Sequence, residues 1–297
     1  MNRDEILSRL REDLALPALP EVLVRLDRML RDPDVDLRKV SDLAATDAVL
    51  AAQVVRMANS AYYSRGGAAL TGLAPSVQRL GLRALRGLVY ALAMPRIFGE
   101  RGGDFPAREL WRHSLTVAAL SSEIAACLGL GQQLREEVWL GGLVHDIGAL
   151  ALAAIVPREY SRLLREAASS PDAAQSDLSE LERNAFGVDH AEAGGILLRE
   201  RWRLPDPIPE VAERHHDLEF DPGLPEGLQR SSIHLVHVAN GICTGFGVVW
   251  SPVGAGGKVF RESAWEALGL DLDKVEDLVE RAQASLGFAE TLLSGGA

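Results

Sequence analysis

Cysteine is almost missing from this 297-residue sequence, with Cys127 and Cys243 the only two. No Cys-x-x-Cys pair occurs, which argues against a disulfide framework, a thiolate zinc knuckle and a dithiol redox centre. Both cysteines are expected to be buried small hydrophobes. Aromatic residues make up only 5% of the chain, and runs of Val, Ile, Thr and aromatics of strand type are absent. Positive charge is in deficit, since 31 Lys and Arg against 42 Asp and Glu give a net charge of -11. Nucleic acid is therefore not the expected partner, because gripping a phosphate backbone relies on a cationic surface. No apolar run approaches the roughly 20 residues that span a bilayer, and the longest is Ile147 to Val156. The segment Met1 to Leu14 mixes Arg, Asp and Glu at helical spacing and lacks the apolar centre of a signal peptide. No membrane partner is expected, and a cytoplasmic protein is the expectation. Gly 28 and Pro 14 are too few for a low-complexity chain, and 47% apolar residues permit a sizeable core.

What remains is helical. Apolar residues recur every three or four positions, and Ala, Leu, Arg and Glu dominate, so an all-α fold is expected. Pro20 opens a helix carrying Val22, Leu26 and Leu30, which Asp32-Pro33-Asp34 stops. Asp36 can cap the next helix, through Val40 and Ala44, and Thr46 or Asp47 the one holding Leu50, Val54 and Met57. Another runs from Ser76 toward Pro95, its Arg79, Arg83 and Arg86 reading as a solvated face rather than a DNA-reading one. The glycine- and charge-rich stretch Phe98 to Pro106 reads as a linker. A second group of helices then covers Arg108 to Leu128, Leu134 to Val156, Asp177 to Phe186, Asp189 to Trp202, Pro209 to His216 and Ser231 to Thr244. An amphipathic acidic tail, Glu262 to Leu293, could serve a homodimer.

The histidines of this second group fall on its apolar faces. His113 shares a stripe with Leu110, Val117 and Leu120, and His145 shares one with Val138, Gly141, Gly148 and Leu152. Asp146 follows His145 directly, and Gly141-Gly142 leaves room for a close backbone approach. His190 opens a helix behind Asp189. His215 and His216 close another, where adjacent side chains diverge by about 100° and share a site only at its mouth. Neutral imidazole with carboxylate and no clustered thiolate suits iron, manganese, zinc or nickel.

These residues carry a family resemblance. Gly142-Leu-Val-His-Asp-Ile-Gly148 resembles the His-Asp signature of the HD superfamily of metal-dependent phosphohydrolases. The segments Leu16-Pro-Ala-Leu-Pro-Glu21, Thr46-Asp-Ala-Val-Leu50, Met57-Ala-Asn-Ser-Ala61, Val77-Gln-Arg-Leu-Gly-Leu82, Leu110-Trp-Arg-His-Ser114, Phe186-Gly-Val-Asp-His-Ala-Glu-Ala-Gly194 and His215-His216 follow in the order of the HD-related output domain, HDOD. The resemblance covers residues 16–216. It implies an N-terminal helical lobe, about 16–97, packed on an HD-like lobe from about 106, with residues 217–297 completing that lobe as a helical extension and tail.

The resemblance also implies a role in bacterial signal transduction, as a regulatory or output module that binds a signalling protein or a small phosphate-containing ligand. By position, His113, His145, Asp146, His190, His215 and His216 match the ligands of the related HD-GYP cyclic-dinucleotide phosphodiesterases, which use clustered metals to activate water and clamp phosphate oxygens. One or two divalent ions, iron, manganese or zinc, are implied. Two departures count against turnover. Ala149 stands where the relatives carry a phosphate-holding Lys, and Asn240 where they supply a last Asp ligand, a neutral and weaker donor. His237, one turn earlier, is a less favoured substitute. The expected function is a regulatory HDOD module without phosphodiesterase turnover. The alternative is a metal-dependent phosphohydrolase using the same cluster, with Asp146 as its central acidic residue.

Overall fold

A computed structural model describes residues 1–12, 16, 21–30, 32, 35–64, 66–81, 85, 88–89, 105–173, 176–216, 228–251, 253, 268 and 275–293. Among these there is no strand, and the all-α expectation holds. The chain divides into two compact units, residues 1–18 with 98–289, and 19–97 with 290–297. Most of the linker-like stretch, residues 98–104, together with Arg83 and Arg86, lies outside the described residues.

The smaller unit holds α2 (Glu21–Leu30), α3 (Leu37–Ala45), α4 (Ala48–Ala58), α5 (Ala61–Ser64) and α6 (residues 73–81). Asp36 caps α3 by accepting from the Arg38 backbone N–H at 2.9 Å, and Asp47 accepts from Leu50 N–H at 3.0 Å at the start of α4. Leu26, Val40, Ala44, Val54, Met57 and Val77 are buried. Asn59 ties the loop before α6 to α4, its amide donating to Leu70 O at 2.7 Å and accepting from Leu70 N–H at 2.7 Å. Arg79 departs from the solvated-face expectation, because its guanidinium donates to Ala68 O at 2.8 Å and Ala58 O at 3.2 Å.

The larger unit contains α1 (Arg3–Glu12), α7 (Ala107–Cys127), α8 (Gln132–Val144), α9 (Ile147–Ile155), α10 (Pro157–Ala168), α11 (Leu178–Phe186), α12 (His190–Ile196), α13 (Ile208–Arg214), α14 (Leu228–Gly245) and, up to residue 289, α15 (Val275–Leu293). A π-helical turn, Leu197–Arg201, prolongs α12. Helices α7, α8, α13 and α14 enclose one core of Val117, Leu120, Val138, Val211, Leu235, Val236 and Ala239. The N-terminal helix docks on this unit by burying Ile6 and Leu10, with Arg3 bonded to Gly187 O and Glu192, and Arg9 to Ile155 O. Exposed ion pairs of this kind contribute little, so the buried side chains carry the docking. Cys243 is buried as expected, whereas Cys127 is exposed because it is the last residue of α7.

Two features depart from the sequence reading. Pro157 opens an unforeseen helix, α10, which buries Tyr160 completely. The single helix expected over Leu134 to Val156 is broken between α8 and α9, with Asp146 at φ -98°, ψ 12°, in the sparsely populated bridge region. The cause is local, since His145 Nδ1 bonds Gly142 O at 2.7 Å and so claims the carbonyl that Asp146 N–H would use in an unbroken helix. The apolar span Gln132–Ile155 is long enough to cross a membrane, but its most apolar window is 89% buried in this core.

Two glycines set the helix crossings. A Cβ on Gly142 would stand 2.9 Å from Ala118 Cα of α7, and one on Gly148 would stand 1.9 Å from His190 O and 2.5 Å from Gly194 N of α12. Both obstacles are backbone, which cannot move aside cheaply. Gly148→Ala is expected to destabilise the fold by about 3 kcal/mol in denaturant unfolding, whereas Gly131→Ala, with open space at its Cβ, stays within about 0.5 kcal/mol. Equal stability of the two variants would mean that the α9–α12 contact is not a fixed feature of the fold.

Candidate metal centre

The helix break turns Asp146 into the interior, where four helices deliver imidazoles to its carboxylate. His113 comes from the middle of α7, His145 from the end of α8, His190 from the first residue of α12 and His215 from the end of α13. His145 and His215 Nε2 lie 3.1 and 3.2 Å from the carboxylate oxygens, and His190 and His113 Nε2 lie 3.5 and 3.7 Å away. All four rings are buried. His216 sits at the exposed rim, its Nε2 2.8 Å from His190 Nε2. The six expected His and Asp residues are therefore brought together.

Hydrogen bonds at the far side of each ring decide which nitrogen faces inward. His113 Nδ1 meets Val248 O at 2.7 Å, His145 Nδ1 meets Gly142 O at 2.7 Å, and His215 Nδ1 meets Ala212 O at 2.8 Å. A carbonyl only accepts, so each Nδ1 carries a proton and each ring turns its Nε2 toward the centre. His190 uses a carboxylate instead. Glu182 Oε2 takes His190 Nδ1 at 2.6 Å and His190 backbone N–H at 2.8 Å, while its other oxygen accepts from Tyr160 OH at 2.5 Å.

The inward face is thus lined by ring nitrogens around one carboxylate. His145 Nε2 and His215 Nε2 are buried without a hydrogen-bond partner, a condition that costs about 1–3 kcal/mol per group. A cation among these atoms would satisfy them all. The ligand atoms form two groups, His113 with His145 and Asp146, and Asp146 with His190, His215 and His216, each within 4.8 Å of one another. Asp146 belongs to both. The donor set is nitrogen and oxygen backed by carboxylate and carbonyl partners, and it could hold a divalent transition metal.

Electrostatics follow from the same arrangement. Burial would raise the Asp146 carboxyl, but His145 and His215 against its oxygens hold it well below the usual carboxylate range. Burial and the neighbouring His145 push His113 down to about 4, and burial likewise lowers His215. His190 goes the other way, because Glu182 and Asp146 outweigh its burial and lift it to about 9.

Some expectations resolve differently. Asn240 is buried on α14 and accepts from Thr244 Oγ1 at 3.4 Å. His237 Nδ1 bonds His215 O at 2.9 Å, steadying a ligand's backbone. Ala149 is fully buried in α9. The sequence reading missed Glu182, Tyr160 and Trp250, whose indole N–H donates to Asp146 Oδ2 at 2.7 Å. Glu182 had a signal, since it interrupts the apolar stripe of Leu178 and Phe186 with an acid. Trp250 had none, lying in a loop more than a hundred residues from Asp146.

Comparison with known proteins agrees with the all-α fold. The family model for the HDOD domain matches residues 16–218. An uncharacterised protein of Treponema pallidum is 27% identical over 210 residues, covering 70% of this chain and 39% of that protein. A cyclic di-GMP phosphodiesterase of Pseudomonas aeruginosa is 26% identical over 143 residues, covering 48% of this chain and 30% of that enzyme. The chain therefore spans less than two fifths of these curated relatives. Among solved structures, an HDOD domain protein with unknown function from Geobacter sulfurreducens superposes with a TM-score of 0.79 at 26% identity, covering 97% of this chain and 98% of that one. The helical unit built around His145 and Asp146, together with the match from residue 16 to 218, makes this chain a member of the HDOD family.

Proposed function

We propose that this chain is a signal-transduction module whose His/Asp centre binds one or two divalent metal ions and, through them, a small phosphate-containing ligand, with binding rather than turnover as its output to a partner signalling protein. The observation that carries this reading is the pair of buried, partnerless Nε2 atoms of His145 and His215 facing an ionised Asp146. Packing histidines would be selected to satisfy both nitrogens, whereas these rings satisfy only the outer one. When bound, the metal supplies Lewis acidity and positive charge for a phosphoryl oxygen. The protein supplies the orientation of each ring through its Nδ1 bond, and His216 places one ligand at the exposed rim. Ala149 and Asn240, in place of a cation and a carboxylate, support binding without turnover. A second reading, metal-dependent phosphohydrolase, draws support from the complete set of six ligands and from the phosphodiesterase relative.

Metal analysis of protein purified without chelator under low oxygen is expected to find one or two equivalents of iron, manganese or zinc, lost in His145→Ala. A folded wild type without metal would overturn the proposal. Assay against nucleotide and cyclic-dinucleotide phosphoesters with manganese, iron or magnesium is expected to show ligand binding and no turnover. Turnover abolished by His145→Ala would establish the phosphohydrolase reading instead.

Metal binding is also expected to depend on pH with a defined sign. In the metal-free chain His190 holds its proton up to about 9, so its contribution to stability is fully present below its unfolded value of about 6.5 and is lost as pH rises through about 9. An incoming metal must displace that proton, while His113, at about 4, is already neutral. Manganese affinity measured by calorimetry is expected to rise by about tenfold per pH unit from 6.5 to 8.5. Glu182→Gln is expected to flatten that slope, and a flat slope in the wild type would contradict the assignment of His190.

A further inference from the structure

The two oxygens of Asp146 are not equivalent. Oδ1 faces His215 Nε2 at 3.2 Å and His190 Nε2 at 3.5 Å. Oδ2 faces His145 and His113 and also accepts the Trp250 indole N–H at 2.7 Å. Trp250 is buried, with its ring 5.5 Å from Phe105 and edge-on to His190 at 6.5 Å, so its donor is held in place by packing. An indole nitrogen can only donate, and a carboxylate oxygen offers about two lone pairs. One of those on Oδ2 is thus already occupied, and the oxygen's charge is partly spent on that bond.

The same segment serves His113, since Val248 O holds its Nδ1 at 2.7 Å. The hydrogen bonds of residues 248–250 therefore fall on the His113–His145 side of the centre. That side offers two imidazoles and the hydrogen-bonded oxygen. The other offers three imidazoles, including the rim residue His216, and the oxygen that does not meet the indole. Four His and Asp ligands against three, and an oxygen without the indole bond against one that carries it, both favour the same side.

We propose that Trp250 is a positioning residue that makes the centre unequal, so that one metal ion is held tightly by Asp146, His190, His215 and His216 while the His113–His145 seat fills only weakly. This rests on the metal-binding reading above and specifies it: the module responds to the occupancy of its second seat. Removing the indole N–H while keeping a ring, as in Trp250→Phe, frees Oδ2 for the weaker seat.

The test is manganese titration of the full chain by calorimetry and equilibrium dialysis, with electron paramagnetic resonance distinguishing isolated from spin-coupled ions. The wild type is expected to bind one ion at least about 100-fold more tightly than a second and to give an uncoupled signal at one equivalent. Trp250→Phe is expected to tighten the second ion by about tenfold or more and to give a coupled signal at two equivalents. Should Trp250→Phe not fold, His216→Ala and His113→Ala decide the matter, the first losing the tight ion and the second keeping it. Two ions of equal affinity in the wild type, or loss of the tight ion in His113→Ala, would overturn this proposal and leave metal binding intact. No manganese bound by wild type or variant would overturn both.

Discussion

A buried carboxylate ringed by imidazoles is stable only if something supplies the positive charge or the protons that face it. Around Asp146, three of the four rings commit their Nδ1 proton outward to a backbone carbonyl and the fourth commits its own to Glu182. Any inward Nε2 left as a lone pair would repel the carboxylate, and the interior offers no water-like compensation. His190, held protonated by Glu182 and Asp146, is the partial remedy in the metal-free chain. The tilt of each ring and the break between α8 and α9 make sense as parts of one cation seat.

The scaffold is arranged to bring that seat together. Gly142 lets α8 lie against α7, and Gly148 lets α9 touch the start of α12, so that His113, His145, Asp146 and His190 arrive from three directions with little slack. His237 on α14 holds the carbonyl of His215, and Asp189 caps the helix that His190 opens by accepting from Glu192 N–H at 2.8 Å. Beyond these, Tyr160 and Glu182 brace His190, while residues 248–250 brace His113 and Asp146. Outer partners of this kind fix the tautomer and orientation of ligands as much as the ligands fix the metal.

Much of this was legible in the order of residues. Helical periodicity gives the all-α fold, and stripe positions place His113, His145 and His190 on inward faces, because a helix face is a local property that repeats every 3.6 residues. The break at Asp146 was not legible, since it depends on a side chain capturing a backbone carbonyl within an uninterrupted apolar pattern. Helix α10 was missed because its pattern is charged on all but one narrow face, with Tyr160 its one buried residue.

The sequence by itself determined the helices and the six His and Asp residues that the fold brings together, whose types and local spacing carry their meaning. Tertiary structure alone decided which nitrogen of His113 faces the centre, because the carbonyl of Val248 reaches that ring only once the helices are packed, whereas Gly142 and Ala212 serve His145 and His215 from within a single helical turn. It also decided that the Trp250 indole meets Asp146. Contacts across more than a hundred residues leave no periodic trace along the chain, for they depend on how helices cross rather than on how any one of them is patterned.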